Sequence, residues 1–149
     1  MKELQTIVVD DISYDVNPYI TSVGMKLLTD ITLLAGKPLL TLIFGIKGSM
    51  GKGKKFTEMD IDADLIQTIM TGLYERIDTN TLDSLFKRVL SGTMISNSSQ
   101  SLDKIYDTHF QSRYLHLFKV VLFSLKVQYA DFWKGLSGNA AVAQVMNRL

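Results

Sequence analysis

Residues Asp107–Trp133 read DTHFQSRYLHLFKVVLFSLKVQYADFW, and this stretch decides how the rest of the chain folds. Phe110, Tyr114, Leu117, Val121 and Leu125 recur at three- and four-residue steps, the spacing of one helical face. Between Tyr114 and Val127 the other faces are also largely apolar, through Leu115, Phe118, Val120, Leu122 and Phe123. A helix that is hydrophobic nearly all round is buried on several sides. Asp107–Trp133 as one helix would run about 40 Å at ~1.5 Å per residue and cross a small domain, and the central buried helix is expected over 104–133.

The 149 residues suit one domain with a genuine core. At 46% hydrophobic and 21% charged, the chain has the balance of a globular protein. The net charge of +1 offers no bulk attraction for nucleic acid or an anionic membrane. There is no cysteine, which excludes disulfides and thiolate metal sites and suits a reducing cytoplasm. The start, MKELQTIVVDD, has no long apolar segment of the signal-peptide kind. No run reaches the roughly 20 apolar residues of a membrane span.

Outward from the long helix, the chain reads as a hairpin followed by helices. Leu4 to Val9 and Ile12 to Val16 are β-branched-rich runs joined at Asp10-Asp11, weaker turn chemistry than Asn-Gly. Asn17-Pro18 reads as an N-cap with proline at the first helical position. Ile20, Val23, Leu27, Ile31 and Leu34 then form a stripe that ends at Gly36-Lys37-Pro38. Residues 38–46 could be helix or buried strand; periodicity does not separate the two, and flanking helices favour helix. Leu65, Ile66, Ile69, Met70, Leu73, Tyr74 and Ile77 mark a further helix, with Asp60, Asp62 and Asp64 near its positive end. Asn80 and Asp83 have capping-box spacing ahead of Leu82, Leu85, Phe86, Val89 and Leu90. That helix ends at Gly92, and Ser96 to Ser101 form a polar connector. The expected fold is mainly α: a single-domain helical bundle around one long C-terminal helix, with a small N-terminal β-hairpin. Its parts are a hairpin over 1–17, a helical core over 18–134 and a short C-terminal helix or tail over 135–149.

Chemistry-bearing motifs are few. Gly48 to Lys55, GSMGKGKK, satisfies G-x-x-x-x-G-K, yet Lys55 stands where a P-loop needs Ser or Thr for magnesium. No helix start follows it to aim a dipole at phosphate. Asp60-x-Asp62-x-Asp64 opens like an EF-hand loop but has Leu65 and Thr71 where glycine and glutamate are required. His109 and His116 lie two turns apart, roughly 10 Å along one helix, too far to share a small metal ion. No G-x-S-x-G turn is present. No catalytic residue, cofactor site or metal site is expected, and the chain is expected not to be an enzyme.

The long helix also carries a motif string. It runs His109-Phe110-Gln111-Ser112-Arg113, then Leu115-His116-Leu117-Phe118-Lys119, then Val127-Gln128-Tyr129-Ala130-Asp131-Phe132. This resembles the C-terminal half of bacteriophage and prophage tail assembly chaperones. There an H-F-x-G-R-like segment leads into an L-x-L-F/Y-K helix that ends in an N-Y/F-x-D-F-like signature. The likeness in organisation covers residues 4–134 and is specific from about 102 to 132. Ser112 stands where the family pattern has glycine, and Gln128 where asparagine is commoner.

The resemblance implies a non-enzymatic protein of the bacterial host cytoplasm. It would bind the helical, hydrophobic tape-measure protein, keep it soluble and help tail-tube subunits polymerise around it. The tail-tube protein and further copies of this chain are the other candidate partners; nucleic acid and membrane are not. His109, Phe110, Arg113, Tyr129, Asp131 and Phe132 carry the motif, with a structural role preferred for them. Val142, Val145, Met146 and Leu149, at i, i+3, i+4 and i+7, form a candidate docking stripe for a helical partner. Two other readings stand beside this one. They are a small structural component of a phage tail or baseplate, and an unrelated all-α adaptor or regulatory module.

Overall fold

Both central residues of the first turn have positive φ, Asp10 at 50° and Asp11 at 68°. That is the type I′ geometry whose twist matches paired strands. It joins β1 (Gln5–Val9) to β2 (Ile12–Val16), which pair antiparallel with Ile7 opposite Tyr14. A computed structural model describes residues 4–44 and 63–130. Side chains alternate along both strands, so that Ile7, Val9, Tyr14 and Val16 are buried while Thr6 and Val8 face out.

The expected helical bundle is corrected at two places. First, the hairpin is part of a three-stranded antiparallel sheet in the order β1-β2-β3. The third strand, β3 (Thr93–Ile95), pairs with β2 so that Thr93 lies opposite Val16 and Ile95 opposite Tyr14. Three residues between a glycine and a polar connector are too short to show a period of two. Second, the long helix is broken. A single turn, α4 (Tyr106–His109), is followed by Ser112 at φ 60° and then by α5 (Tyr114–Gln128). A left-handed residue cannot continue a right-handed helix. The sum, among the described residues, is five helices and a small sheet, a mixed α/β arrangement.

Within that arrangement α5 is buried nearly all round. Every residue from His116 to Val127 is buried except Lys119, which is partly so. Strands β1 and β2 pack against it together with two helices, α1 (Thr21–Phe44) and α3 (Thr79–Leu90). The break moves Tyr114 off the apolar stripe: it is 71% exposed, whereas Phe110, Leu117, Val121 and Leu125 are buried.

The remaining helices follow their stripes with shifted ends. Helix α1 starts at Thr21, so Asn17-Pro18 is not its cap; the Asn17 backbone is engaged elsewhere. Gly36 breaks α1 at φ 76° and ψ 166°, a region essentially reserved for glycine, and residues 38–44 continue as helix. Helix α2 (Ala63–Arg76) buries Ile66, Ile69 and Leu73. Helix α3 is capped by Asp78 rather than Asn80: the Asp78 carboxylate accepts from the Thr81 N–H at 2.8 Å and from its hydroxyl at 2.9 Å. Those bonds, the backbone one foremost, hold the Asp78 carboxyl below the usual carboxylate range. Arg88 on α3 reaches Asp30 on α1 at 2.7 Å.

Candidate functional site

The break between α4 and α5 has a chemical consequence. In one continuous helix His109 and His116 would stand two turns apart. With Ser112 left-handed, the chain doubles back and their ring centroids come within 6.2 Å. Both reach the same atom. The Tyr14 hydroxyl, from the middle of β2, lies 2.7 Å from His109 Nε2 and 2.6 Å from His116 Nε2. The expectation that the two histidines are far apart is therefore corrected.

The neighbours of the outer ring nitrogens set the direction of the hydrogen bonds. His116 Nδ1 lies 2.8 Å from Asp10 Oδ2, an acceptor, so Nδ1 carries the proton and Nε2 accepts from Tyr14. At the other end Arg113 Nη2 approaches His109 Nδ1 at 3.4 Å, a donor facing an acceptor. His109 Nε2–H then donates to the Tyr14 oxygen. The relay thus runs Arg113 to His109 to Tyr14 to His116 to Asp10, each group donating to the next. Arg113 also donates through Nε to the His109 carbonyl at 3.1 Å, and through Nη2 to the same oxygen. Lys119 Nζ lies 3.0 Å from the other oxygen of Asp10.

Burial first, then the Arg113 charge and the neighbouring His116 ring, lower the His109 pKa from the usual histidine value. Burial holds the Tyr14 hydroxyl above the ordinary tyrosine range; Arg113 pulls it back and Asp10 adds to it. The chemical work of the relay is to tie the hairpin turn to the α4–α5 junction. Among the described residues no three His, Cys, Asp or Glu side chains are placed to hold a metal ion.

A second polar joint lies at the far end of α5. The Gln128 amide donates to the Asn17 carbonyl at 2.6 Å and accepts from the Tyr19 N–H at 3.1 Å, as a strand's backbone would. The Asn17 N–H donates to the Gly92 carbonyl at 2.7 Å. A Cβ on Gly92 would lie 2.7 Å from Gln128 Nε2 and 2.9 Å from the Asn17 oxygen, so the joint closes only around glycine. Tyr129 donates to the Gly24 carbonyl at 2.8 Å, and Tyr19 to the Val89 carbonyl at 2.5 Å.

Of the motif residues, the structure places His109 in the relay, Arg113 over it, Phe110 in the core and Tyr129 against α1. Asp131, Phe132, Val142, Val145, Met146 and Leu149 lie outside the described residues. So do the Gly48–Lys55 loop, Asp60 and Asp62. Sequence reasoning missed Asp10, Tyr14 and His116 as one group, and Gln128 as a clamp. The one signal lay in the resemblance, whose pattern has glycine where Ser112 stands, a residue type at home in left-handed backbone.

Between α3 and the α4–α5 segment a groove of about 330 Å³ opens to solvent. Tyr74, 57% exposed, and Tyr114 line it, over a floor where the Phe86 and Phe118 rings meet edge to face at 5.1 Å. No helix among the described residues is long and apolar enough to cross a membrane. A family model described as phage tail assembly chaperone protein, TAC, matches residues 10–140. No curated protein and no solved structure matches the chain.

Proposed function

The chain belongs to the phage tail assembly chaperone family, and from that premise we propose that it binds the tape-measure protein. In this reading it keeps that long apolar helix soluble in the host cytoplasm while tail-tube subunits assemble around it. The role is one of binding, without catalysis. The observation that carries the reading is the family match over residues 10–140, which spans the relay, the Gln128 clamp and the groove. The solvent-facing aromatic residues of the groove support it, because tyrosine is enriched where proteins bind one another. The stripe of Val142, Val145, Met146 and Leu149 is a further proposed contact.

Co-expression tests the proposal. The tape-measure protein of the same phage should be insoluble alone, and soluble and co-purified when this chain is present. Deleting residues 136–149 should weaken that co-purification while leaving the helical signal and melting midpoint nearly unchanged. A tape-measure protein that stays insoluble with the full-length chain would overturn the reading. Recovery of this chain in stoichiometric amounts from finished tails would make it a structural component instead.

A further inference from the structure

The groove between α3 and the α4–α5 segment has the form of a helix seat. On one wall Thr79, Leu82, Asp83 and Phe86 stand at i, i+3, i+4 and i+7, a stripe about 10 Å long at ~1.5 Å per residue. On the other, Phe110, Tyr114 and Leu117 face them across the gap. A helical stripe on one wall and the α4–α5 turn on the other, with an apolar cleft between them, can take the apolar face of an amphipathic helix. The aromatic residues are the kind that anchor such contacts, since tyrosine buries a large rigid ring at small entropic cost.

Charge at the rim selects the occupant. The ionisable carboxylates lining the groove are Asp83 and Asp107. Asp83 has Lys87 at 3.8 Å, a long and exposed pair that neutralises it weakly. Lys87 also sits over the Tyr106 ring, 5.2 Å from its centre, so the cation is held at one edge. Asp107 is exposed and carries no ion pair among the described residues. The rim is therefore acidic on the α4 side, where a cation from outside would be favoured. The Tyr14 relay offers no comparable opening, because its ring nitrogens and hydroxyl already bond to one another.

We infer that this groove seats one amphipathic helix of a partner protein: about two turns of apolar side chains between Tyr74 and Tyr114, flanked by a lysine or arginine that meets Asp107. The identity of that partner as a tape-measure segment rests on the function proposed above; the chemistry of the seat stands on its geometry. The occupant presents large apolar anchors at helical spacing and a cationic flank, and an acidic flank is repelled.

The test uses the full-length chain and two synthetic peptides of roughly 18 residues, long enough to hold helix. They share one leucine-phenylalanine stripe and differ in lysine or glutamate flanks. In fluorescence anisotropy the lysine-flanked peptide should bind at least about tenfold more tightly. Tyr74→Ala with Tyr114→Ala should weaken it about tenfold again, and Asp107→Lys should shift the preference to the glutamate-flanked peptide. Hydrogen exchange on the unmodified chain supplies a readout that needs no variant: the lysine peptide should slow amides in 79–86 and 106–118. No binding by either peptide, binding indifferent to the flanks, or protection confined to other residues would each overturn the inference. Binding that appears only after deletion of 136–149 would overturn it too, by showing that the chain's own tail fills the seat. If the peptide result holds and the tape-measure protein is not solubilised, the seat stands and the proposed partner falls.

Discussion

At its N-terminal end α5 meets the sheet through ionisable groups, with His109 and His116 sharing the Tyr14 hydroxyl and Asp10 holding the outer nitrogen. At its C-terminal end the same helix meets the exit of the same strand through a neutral amide, Gln128 on Asn17 and Tyr19. Tyr14 and Asn17 are three residues apart, yet the two joints obey different physics. The first depends on protonation state. The second has no titrating group but closes around a glycine with no room for a carbon. One helix is thus fastened once by charge and proton position and once by shape.

The largest effect expected is at the ionisable joint. Tyr14→Phe keeps the ring in the core and removes the shared hydroxyl, leaving two ring nitrogens without partners at about 1–3 kcal/mol each. Chemical denaturation should show a loss of about 2–4 kcal/mol; a loss under about 0.5 kcal/mol would mean that the hydroxyl fastens nothing. At the neutral joint Gly92→Ala should cost about 1–3 kcal/mol by overpacking against Gln128 and Asn17. That cost should be the same at pH 7.5 and pH 5.5, and a pH-dependent cost would erase the contrast between the two joints.

Smaller is the gain from Ser112→Gly. Ser112 sits at φ 60°, where a side chain costs roughly 1–2 kcal/mol and glycine little. The variant should be more stable by about 1 kcal/mol after glycine's greater unfolded-state entropy is subtracted. A destabilised variant would show that the serine hydroxyl, not the backbone, holds the break.

The smallest effect is the pH response. His109 has a folded pKa below its unfolded value, so the unfolded ring takes up a proton first as pH falls. Stability from this group is complete above about pH 6.5 and declines below it, toward the lower folded pKa. His109→Asn should flatten the stability curve between pH 6.5 and 5.5, whereas Gln128→Ala should leave its slope as in the parent chain. Equal slopes in all three proteins would remove His109 as the acid-sensitive group.

What could be read in advance follows from where the information lies. The hairpin shows itself in twelve residues because alternation and a two-residue turn are local signals, and α3 because its stripe is regular. The all-round burial of α5 is legible from composition alone. The break before it is not, because Phe110, Tyr114 and Leu117 keep helical spacing across a residue whose side chain gives no sign of positive φ. The histidine pair was hidden for the same reason: its proximity exists only once Ser112 turns the chain. Strand β3 is defined by its partner β2, some 80 residues away in sequence, not by its own three residues. The cap at Asp78 was masked by Asn80, which has the right chemistry two positions late. Gln128 looks like any polar residue on a helix until Asn17 is brought to it.

The turn at Asp10-Asp11 bears on how this hairpin could be altered by design. A protein engineer seeking a tighter type I′ turn would write Asn-Gly over both positions. The two aspartates are not equivalent, because it is the Asp10 carboxylate that binds His116 and Lys119. Asp11→Gly relaxes a left-handed residue and leaves the carboxylate in place. Asp10→Asn at the preceding position improves the local conformational preference and removes an anion from between a lysine and an imidazole. The familiar two-residue optimum is therefore reachable here in its second half only. A selection for hairpin stability alone would run against the packing of the whole domain.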